Sequence, residues 1–327
     1  MKKIRTAVIA VGYMGRFHAE KFAANADAQL VAVADADLAR ARQVAGALGC
    51  AAAADYRTVL SRIDAACVAV PTEKHHPVVR DCLEAGVHVL VEKPISRTLA
   101  EADALLELAH AKGLVLQVGH LQRFNPAFQA LAADRGRPLF IDIERLAPFK
   151  ARGGDMDVIL DLMIHDLDLV LALARAPVEQ MSASGFRVLT GAIDIANARI
   201  EFADGCIASV SASRVSQSPV RKLRVFRDDS YVSADLQEQK LRTVRKCAAG
   251  STAGIEETEQ AFERADELRA QAEDFLRAVR GGAQPGGARP GGAQPLVSGD
   301  QGRRVLALAL DIGKLVQARL ARHAQSP

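Results

Sequence analysis

The chain of 327 residues is long enough for two domains at roughly 150 residues each, and its 49% hydrophobic and 25% charged composition is that of a folded globular protein. Forty-two Lys and Arg against 39 Asp and Glu leave a formal charge of +3. With no dominant basic block, that balance argues against nucleic acid or an anionic membrane as the main partner and in favour of a small molecule. Aromatic residues make up 4%, with no Trp, so neither a base-stacking platform nor an interfacial aromatic girdle is expected.

The first residues, Met1-Lys2-Lys3-Ile4-Arg5 and the apolar run to Val11, imitate a secretory leader, with Ala24-Asn25-Ala26 as a small-residue cleavage site. Gly12 to Gly15 cut that run short, and Arg16, His18, Glu20 and Lys21 stand before the supposed cleavage point. No stretch approaches the roughly 20 apolar residues of a membrane span. The five cysteines (Cys50, Cys67, Cys82, Cys206 and Cys247) are odd in number and widely spaced, without a CxxC pair or zinc spacing. Buried thiols in a reducing compartment, hence a cytoplasmic protein, are the expectation.

Along the chain, residues 4–119 alternate short apolar runs with longer amphipathic stretches, the signature of βαβ units and a parallel sheet. Strands are expected at 5–10, 30–34, 65–70, 87–91 and 114–118, all continuous apolar runs suited to burial on both faces. Helical patterns lie between them at 14–25, 38–48, 77–85 and 100–111, the last closed by Gly113. A helix is expected at 157–174. From there to residue 244, runs rich in Val, Ile, Thr and Ser at 195–202, 206–213, 223–226 and 231–236 are separated by Asp204-Gly205 and Asp228-Asp229, as in an antiparallel meander. Helical patterns return at 256–280 and 303–322, placed to run back along the first domain or the sheet. Between them, residues 281–295 repeat a Gly-Gly-Ala-(Gln/Arg)-Pro unit three times, a composition that cannot pack a core and is expected to form a flexible insertion. The expected division is 1–120 and 121–327.

Ala10-Val11-Gly12-Tyr13-Met14-Gly15 stands where the first strand turns into the first helix, the context in which a G-x-G-x-x-G pattern marks a dinucleotide site. Gly12 permits close approach of the pyrophosphate and Gly15 close helix packing, while Ala10 replaces the glycine of the tight turn. Asp35 ends the second strand 35 − 15 = 20 residues beyond Gly15, where an acid binds the adenosine ribose. A carboxylate there favours NAD over NADP, although Arg40 and Arg42 lie nearby. The plain alternative is an ordinary strand–turn–helix glycine pair with a solvated Asp.

Two more polar strings follow strands of the first domain. Glu92-Lys93-Pro94 closes 87–91, and Gly119-His120-Leu121-Gln122-Arg123-Phe124-Asn125-Pro126 follows 114–118, so both reach the carboxyl edge where doubly wound sheets bind ligands. A third cluster, Asp161 to Asp168, lies on a predicted helix with Asp161 and His165 at i and i+4, on one face. These three clusters are expected to converge on one crevice. Burying such groups unpaired is costly, so they need partners or a function. A metal held by Asp161, His165 and His120 lacks a matching ligand set, and His75-His76 reads as a helix-start surface pair; no metal is expected.

In their order these strings, together with Pro71-Thr72 and His75, resemble the glucose-fructose oxidoreductase / inositol dehydrogenase / MocA (Gfo/Idh/MocA) family over nearly the whole chain. The resemblance implies an α/β chain: a doubly wound Rossmann domain, then an α+β domain with an open-faced antiparallel sheet that assembles dimers or tetramers. It implies Lys93, Asp161 and His165 as the catalytic group, with a cis Lys93–Pro94 bond. NAD would be held by Ala10, Gly12, Tyr13, Met14, Gly15, Asp35, Pro71, Thr72, His75, Glu92 and Lys93. Lys93, His120, Arg123, Asn125, Asp161 and His165 would face the sugar.

Within the family, the strings at 119–126 and 157–166 look most like the branch oxidising the 3-hydroxyl of UDP-N-acetylglucosamine, whose ketone an aminotransferase then converts to an amine for lipid A or surface glycans. The expected chemistry has His165 as general base, Lys93 on the developing oxygen charge and Asp161 orienting His165 or a neighbouring hydroxyl, with the Lys93 amine meeting the His165 imidazole beside the nicotinamide. Other readings are oxidation of another sugar or inositol, or a nicotinamide-binding regulator without turnover.

Overall fold

The computed structural model describes residues 2–149, 156–247, 254–281 and 294–325. Its contacts divide the chain into two compact units, Met1–Leu121 with Asp266–Leu306, and Gln122–Ala265 with Ala307–Pro327.

In the first unit β1 (Ile4–Ile9), β2 (Ala28–Ala34), β3 (Ala51–Ala53), β4 (Ala65–Val68), β5 (His88–Val91) and β6 (Leu116–Val118) form one sheet in the order β3-β2-β1-β4-β5-β6. Every pairing is parallel. Val8, Val33, Cys67, Leu90 and Val91 are fully buried, as strands covered on both faces require. The strand order reverses between β1 and β4, the switch point at which such sheets open a ligand crevice. Ala51–Ala53, with no β-branched residue to mark it, becomes a strand only by pairing with β2.

The connecting helices are α1 (Tyr13–Ala24), α2 (Leu38–Leu48), α3 (His75–Glu84) and α4 (Leu99–Lys112). Asp37 caps α2 by accepting the N–H groups of Ala39 and Arg40, and Thr98 with Glu101 forms a capping box on α4. Helix α1 follows Gly12, which has no side chain to cap it, so the positive end of its dipole faces the glycine turn.

The second unit opens with α5 (Pro126–Ala133) and builds an eight-stranded sheet from β7 (Phe140–Leu146), β8 (Val178–Phe186), β9 (Ile195–Phe202), β10 (Ile207–Ser213), β11 (Val220–Phe226), β12 (Ser230–Asp235), β13 (Lys240–Lys246) and β14 (Ile255–Ala261). Its order is β14-β13-β12-β11-β7-β10-β9-β8. Alternation sets its faces: in β9, Ala196, Ala198 and Ile200 are buried while Ile195, Asn197 and Arg199 are exposed.

Three expectations need correction here. The sheet is not a pure antiparallel meander, because β7 inserts between β10 and β11 and runs parallel to β10. The helical pattern at 256–280 is split: Ile255–Ala261 is strand β14, and the helix α7 is Glu267–Arg280. Glu256, Glu257 and Glu259 favour helix locally, yet they stand opposite Arg245, Val244 and Arg242 of basic β13, and Arg242 bonds Glu257 at 2.7 Å. The helix expected at 157–174 begins as a π turn, Ile159–Met163, before α6 (Ile164–Ala174).

Helix α7 belongs to the first unit rather than to the span 121–327. Phe275 meets Phe22 of α1 edge to face at 6.4 Å, and Lys21–Asp266 and Arg280–Asp27 ion pairs flank the contact. The last helix, α8 (Gly299–Gln325), brings Gly302 so close to Val118 of β6 that a Cβ would collide. Of the pentapeptide repeat, residues 282–293 lie outside the described residues.

Candidate active site

The glycine turn of the first unit is built as a seat for a dinucleotide. Ala10 takes the left-handed conformation, φ +65, which costs a residue with a Cβ roughly 1–2 kcal/mol. It thereby performs the tight turn that the sequence pattern gives to glycine. A Cβ on Gly15 would run into the Ala10 carbonyl, whereas one on Gly12 would have nothing nearer than the Arg40 guanidinium at 3.8 Å. Space is therefore left open at Gly12, beside the uncapped start of α1. Tyr13 and Met14 follow in the first turn of that helix, with the Tyr13 ring exposed and edge-on to Phe17.

Asp35 is buried beneath this turn. One carboxylate oxygen accepts the Val11 N–H at 2.9 Å and the other accepts the Asp37 N–H at 2.9 Å, with Arg40 at 3.5 Å. The acid at the end of β2 thus locks the glycine turn to its neighbour strand, with lone pairs remaining for a ribose. Open space at Gly12, the uncapped start of α1 and this carboxylate fit a nicotinamide dinucleotide.

At the ends of β4 and β5 the predicted residues divide into presenters and supports. Pro71 is exposed and Thr72 half-buried at the start of a short turn. His75, expected at the cofactor, is buried with Nδ1 2.7 Å from the Pro94 carbonyl oxygen and Nε2 2.9 Å from that of Val70. It braces two loops instead of facing solvent. Burial pulls its imidazole below the ordinary value, against the two carbonyls.

Lys93 is half-buried and its bond to Pro94 is cis. The Glu92 carboxylate accepts the Lys93 N–H at 3.3 Å and bonds His18 Nε2 at 2.7 Å. A Cβ on Gly119 would lie 3.1 Å from the Glu92 Cα, so any larger residue there would press on Glu92. His120 is buried.

In the second unit Asp161 sits within the π turn, whose mark is the Ile164 N–H donating to the Ile159 carbonyl. Irregular turns of this kind recur at functional sites. Asp161 and His165 are both half-buried, while Ile159, Met163 and Ile164 around them are fully buried. Two residues expected at the sugar are committed to structure. Asn125 is 0% exposed, caps α5 by accepting the Ala127 and Phe128 N–H groups, and donates to the Leu236 carbonyl. Arg123 pairs with Asp168 at 3.3 Å. Among the described residues no group of three or more His, Cys, Asp or Glu is placed to hold a metal.

Sequence reasoning missed His18, whose partner Glu92 is 74 positions away, and Arg145, which bonds Asp166 through two nitrogens at 2.6–3.0 Å from a strand the pattern did not reveal. A His following the glycine turn at helical spacing was the available signal for the first. A cavity of about 330 Å³ under α5, lined by Asp134, Arg227 and Arg245 among others, holds none of the predicted residues.

A parallel sheet with its glycine turn, its acid at the end of β2 and a lysine at the carboxyl edge defines an NAD-binding oxidoreductase of Rossmann type. Residues 4–120 match the model of the oxidoreductase family with NAD-binding Rossmann fold, and residues 135–231 match the GFO/IDH/MocA C-terminal domain. The chain belongs to the Gfo/Idh/MocA oxidoreductase family. It is 41% identical to UDP-N-acetylglucosamine 3-dehydrogenase of Acidithiobacillus ferrooxidans, covering 98% of this chain and 100% of that protein. A solved structure of the A. ferrooxidans enzyme superposes with a TM-score of 0.88 at 39% identity, over 97% of this chain and 99% of that one. The scyllo-inositol 2-dehydrogenase (NAD(+)) of Bacillus subtilis is 30% identical, covering 86% of this chain and 88% of its own length. Among the described residues no helix is long and apolar enough to cross a membrane.

Proposed function

We propose that the protein oxidises the 3-hydroxyl of UDP-N-acetylglucosamine to the ketone with NAD. The observation that carries the substrate is the 41% identity, end to end, to a UDP-N-acetylglucosamine 3-dehydrogenase, against 30% for the inositol enzyme. Bound NAD supplies the hydride acceptor. Gly12 and the uncapped start of α1 would hold its pyrophosphate, and Asp35 its adenosine ribose.

His165 accepts the proton of the hydroxyl as the carbon bearing that oxygen gives up its hydride. Lys93 donates a hydrogen bond to the oxygen as negative charge develops there. Asp161, one helical turn from His165, orients that ring or a neighbouring hydroxyl. The products are the 3-keto sugar, reduced nicotinamide and a protonated His165. The ketone is the substrate form that a pathway aminotransferase consumes on the way to amino-sugar lipid A or other surface glycans. The enzyme works in the cytoplasm as a homodimer or homotetramer joined through the open sheet.

The test is near-ultraviolet absorbance of reduced nicotinamide, with UDP-N-acetylglucosamine compared against free sugars and inositol, with and without an aminotransferase and amino donor to remove the ketone. Turnover of the nucleotide sugar well above the polyols is expected. Faster oxidation of inositol would reassign the substrate, and cofactor binding without any turnover would end the enzymatic account. Lys93→Ala should lower kcat by at least about 100-fold with NAD affinity kept; unchanged turnover removes Lys93 from the chemistry.

A further inference from the structure

We propose that His18 is a positioning residue for the Lys93 amine, acting through the Glu92 carboxylate; this rests on the role given to Lys93 above. Lys93 is fixed by its two chain neighbours. On one side the Pro94 carbonyl is bound by the buried His75 at 2.7 Å. On the other, Glu92 holds the Lys93 N–H with one oxygen and His18 Nε2 with the other, while Gly119 closes the space behind it.

His18 is 1% exposed and the Glu92 side chain 16%, so water is kept from the imidazole side of their bond. Burial opposes the imidazolium, but Cys67 and the Glu92 carboxylate outweigh it and lift His18 to about 10. Burial likewise opposes the Glu92 carboxylate, and His18 with Lys93 holds it below the usual range. The two therefore stand as an ion pair at neutral pH. His18 also lies on α1, the helix whose first turn receives the pyrophosphate, so one rigid element aligns the dinucleotide and, through Glu92, the residue that serves the reacting oxygen. Without His18 the carboxylate loses the donor that holds its second oxygen, turns away from the Lys93 N–H, and takes the amine out of line.

The test compares wild type with His18→Ala, His18→Gln, Glu92→Gln and Lys93→Ala on NAD and UDP-N-acetylglucosamine, reading kcat, KM, NAD affinity and the primary isotope effect with sugar deuterated at carbon 3. His18→Ala should lower kcat about 10- to 100-fold and raise the isotope effect, with NAD affinity kept within about twofold. His18→Gln, whose amide still donates to Glu92, should recover most of the loss. A His18→Ala enzyme with normal turnover, or one in which NAD affinity falls as far as kcat, overturns the proposal. If the alanine variant fails to fold, Glu92→Gln decides: a fall in kcat at saturating NAD larger than any loss of NAD affinity supports the linkage, and wild-type turnover overturns it. Normal turnover in Lys93→Ala instead overturns the role of Lys93 itself. A wild type active only on inositol overturns the sugar assignment, and the same variants are then read on inositol.

Discussion

Asp194 and His18 are both buried and charged, yet they respond to pH from opposite sides. Asp194 accepts the N–H groups of Val188, Leu189 and Thr190 at 2.7–2.8 Å and the Thr190 hydroxyl at 2.8 Å. Burial opposes its charge, but these donors hold the carboxyl down to about 2 from an ordinary 3.8. Its stabilisation is complete above 3.8 and is lost as pH falls toward 2. His18, raised from 6.5 to about 10, stabilises fully below 6.5 and loses that contribution as pH climbs toward 10. Urea midpoints should therefore be highest between these limits. Asp194→Asn should flatten the acid limb and His18→Gln the basic one; limbs unchanged by the substitutions would contradict the assignments. The glycine turn and Lys93 were legible because their chemistry is written in adjacent residues. His18 was not, because its partner Glu92 lies 74 positions away; Asp194 was not, because its donors at 188–190, although near in sequence, converge on it only once the turn between β8 and β9 is formed.

Between elements, the Arg145–Asp166 pair joins β7 to α6, with side chains 6% and 1% exposed. Arg145→Met leaves a buried carboxylate without its partner and should cost about 3–5 kcal/mol, whereas replacing both members by apolar residues should be close to neutral. Denaturant unfolding of the single and double variants checks this, and equal losses in both would mean that the pair's charge is not the issue. Asp166 was visible within the polar string at 161–168, but its partner was hidden on β7. That strand, Phe-Ile-Asp-Ile-Glu-Arg-Leu, carries alternating charges that offer no short-range cue to a position between β10 and β11. Strand β14 misled for a related reason: a run of Glu favours helix locally, and only pairing with basic β13 turns it into a strand.

At the scale of the whole chain, the glycine turn and Asp35 lie within the first unit, which also takes α7 from far along the sequence. NAD at about 100 times its Kd should stabilise that unit by about 2.7 kcal/mol through mass action alone. Hydrogen exchange should accordingly slow in β1 and β4. No added protection there would place the nucleotide elsewhere. The alternating pattern through residue 119 was enough to read the parallel sheet, because a strand buried on both faces and a helix packed on it each impose their own period on neighbouring residues.

What the sequence determined by itself were the features governed by near neighbours: the parallel α/β architecture, the glycine turn with its acid at Asp35, and the strings that carry Lys93, Asp161 and His165. Tertiary structure alone decided that Ala10 adopts a glycine's backbone, that Asn125 and His75 serve as supports, that β14 is a strand, and that His18 faces Glu92. The reason is physical. Burial and charge pairing depend on distances that folding creates between residues tens of positions apart, and no local period encodes them.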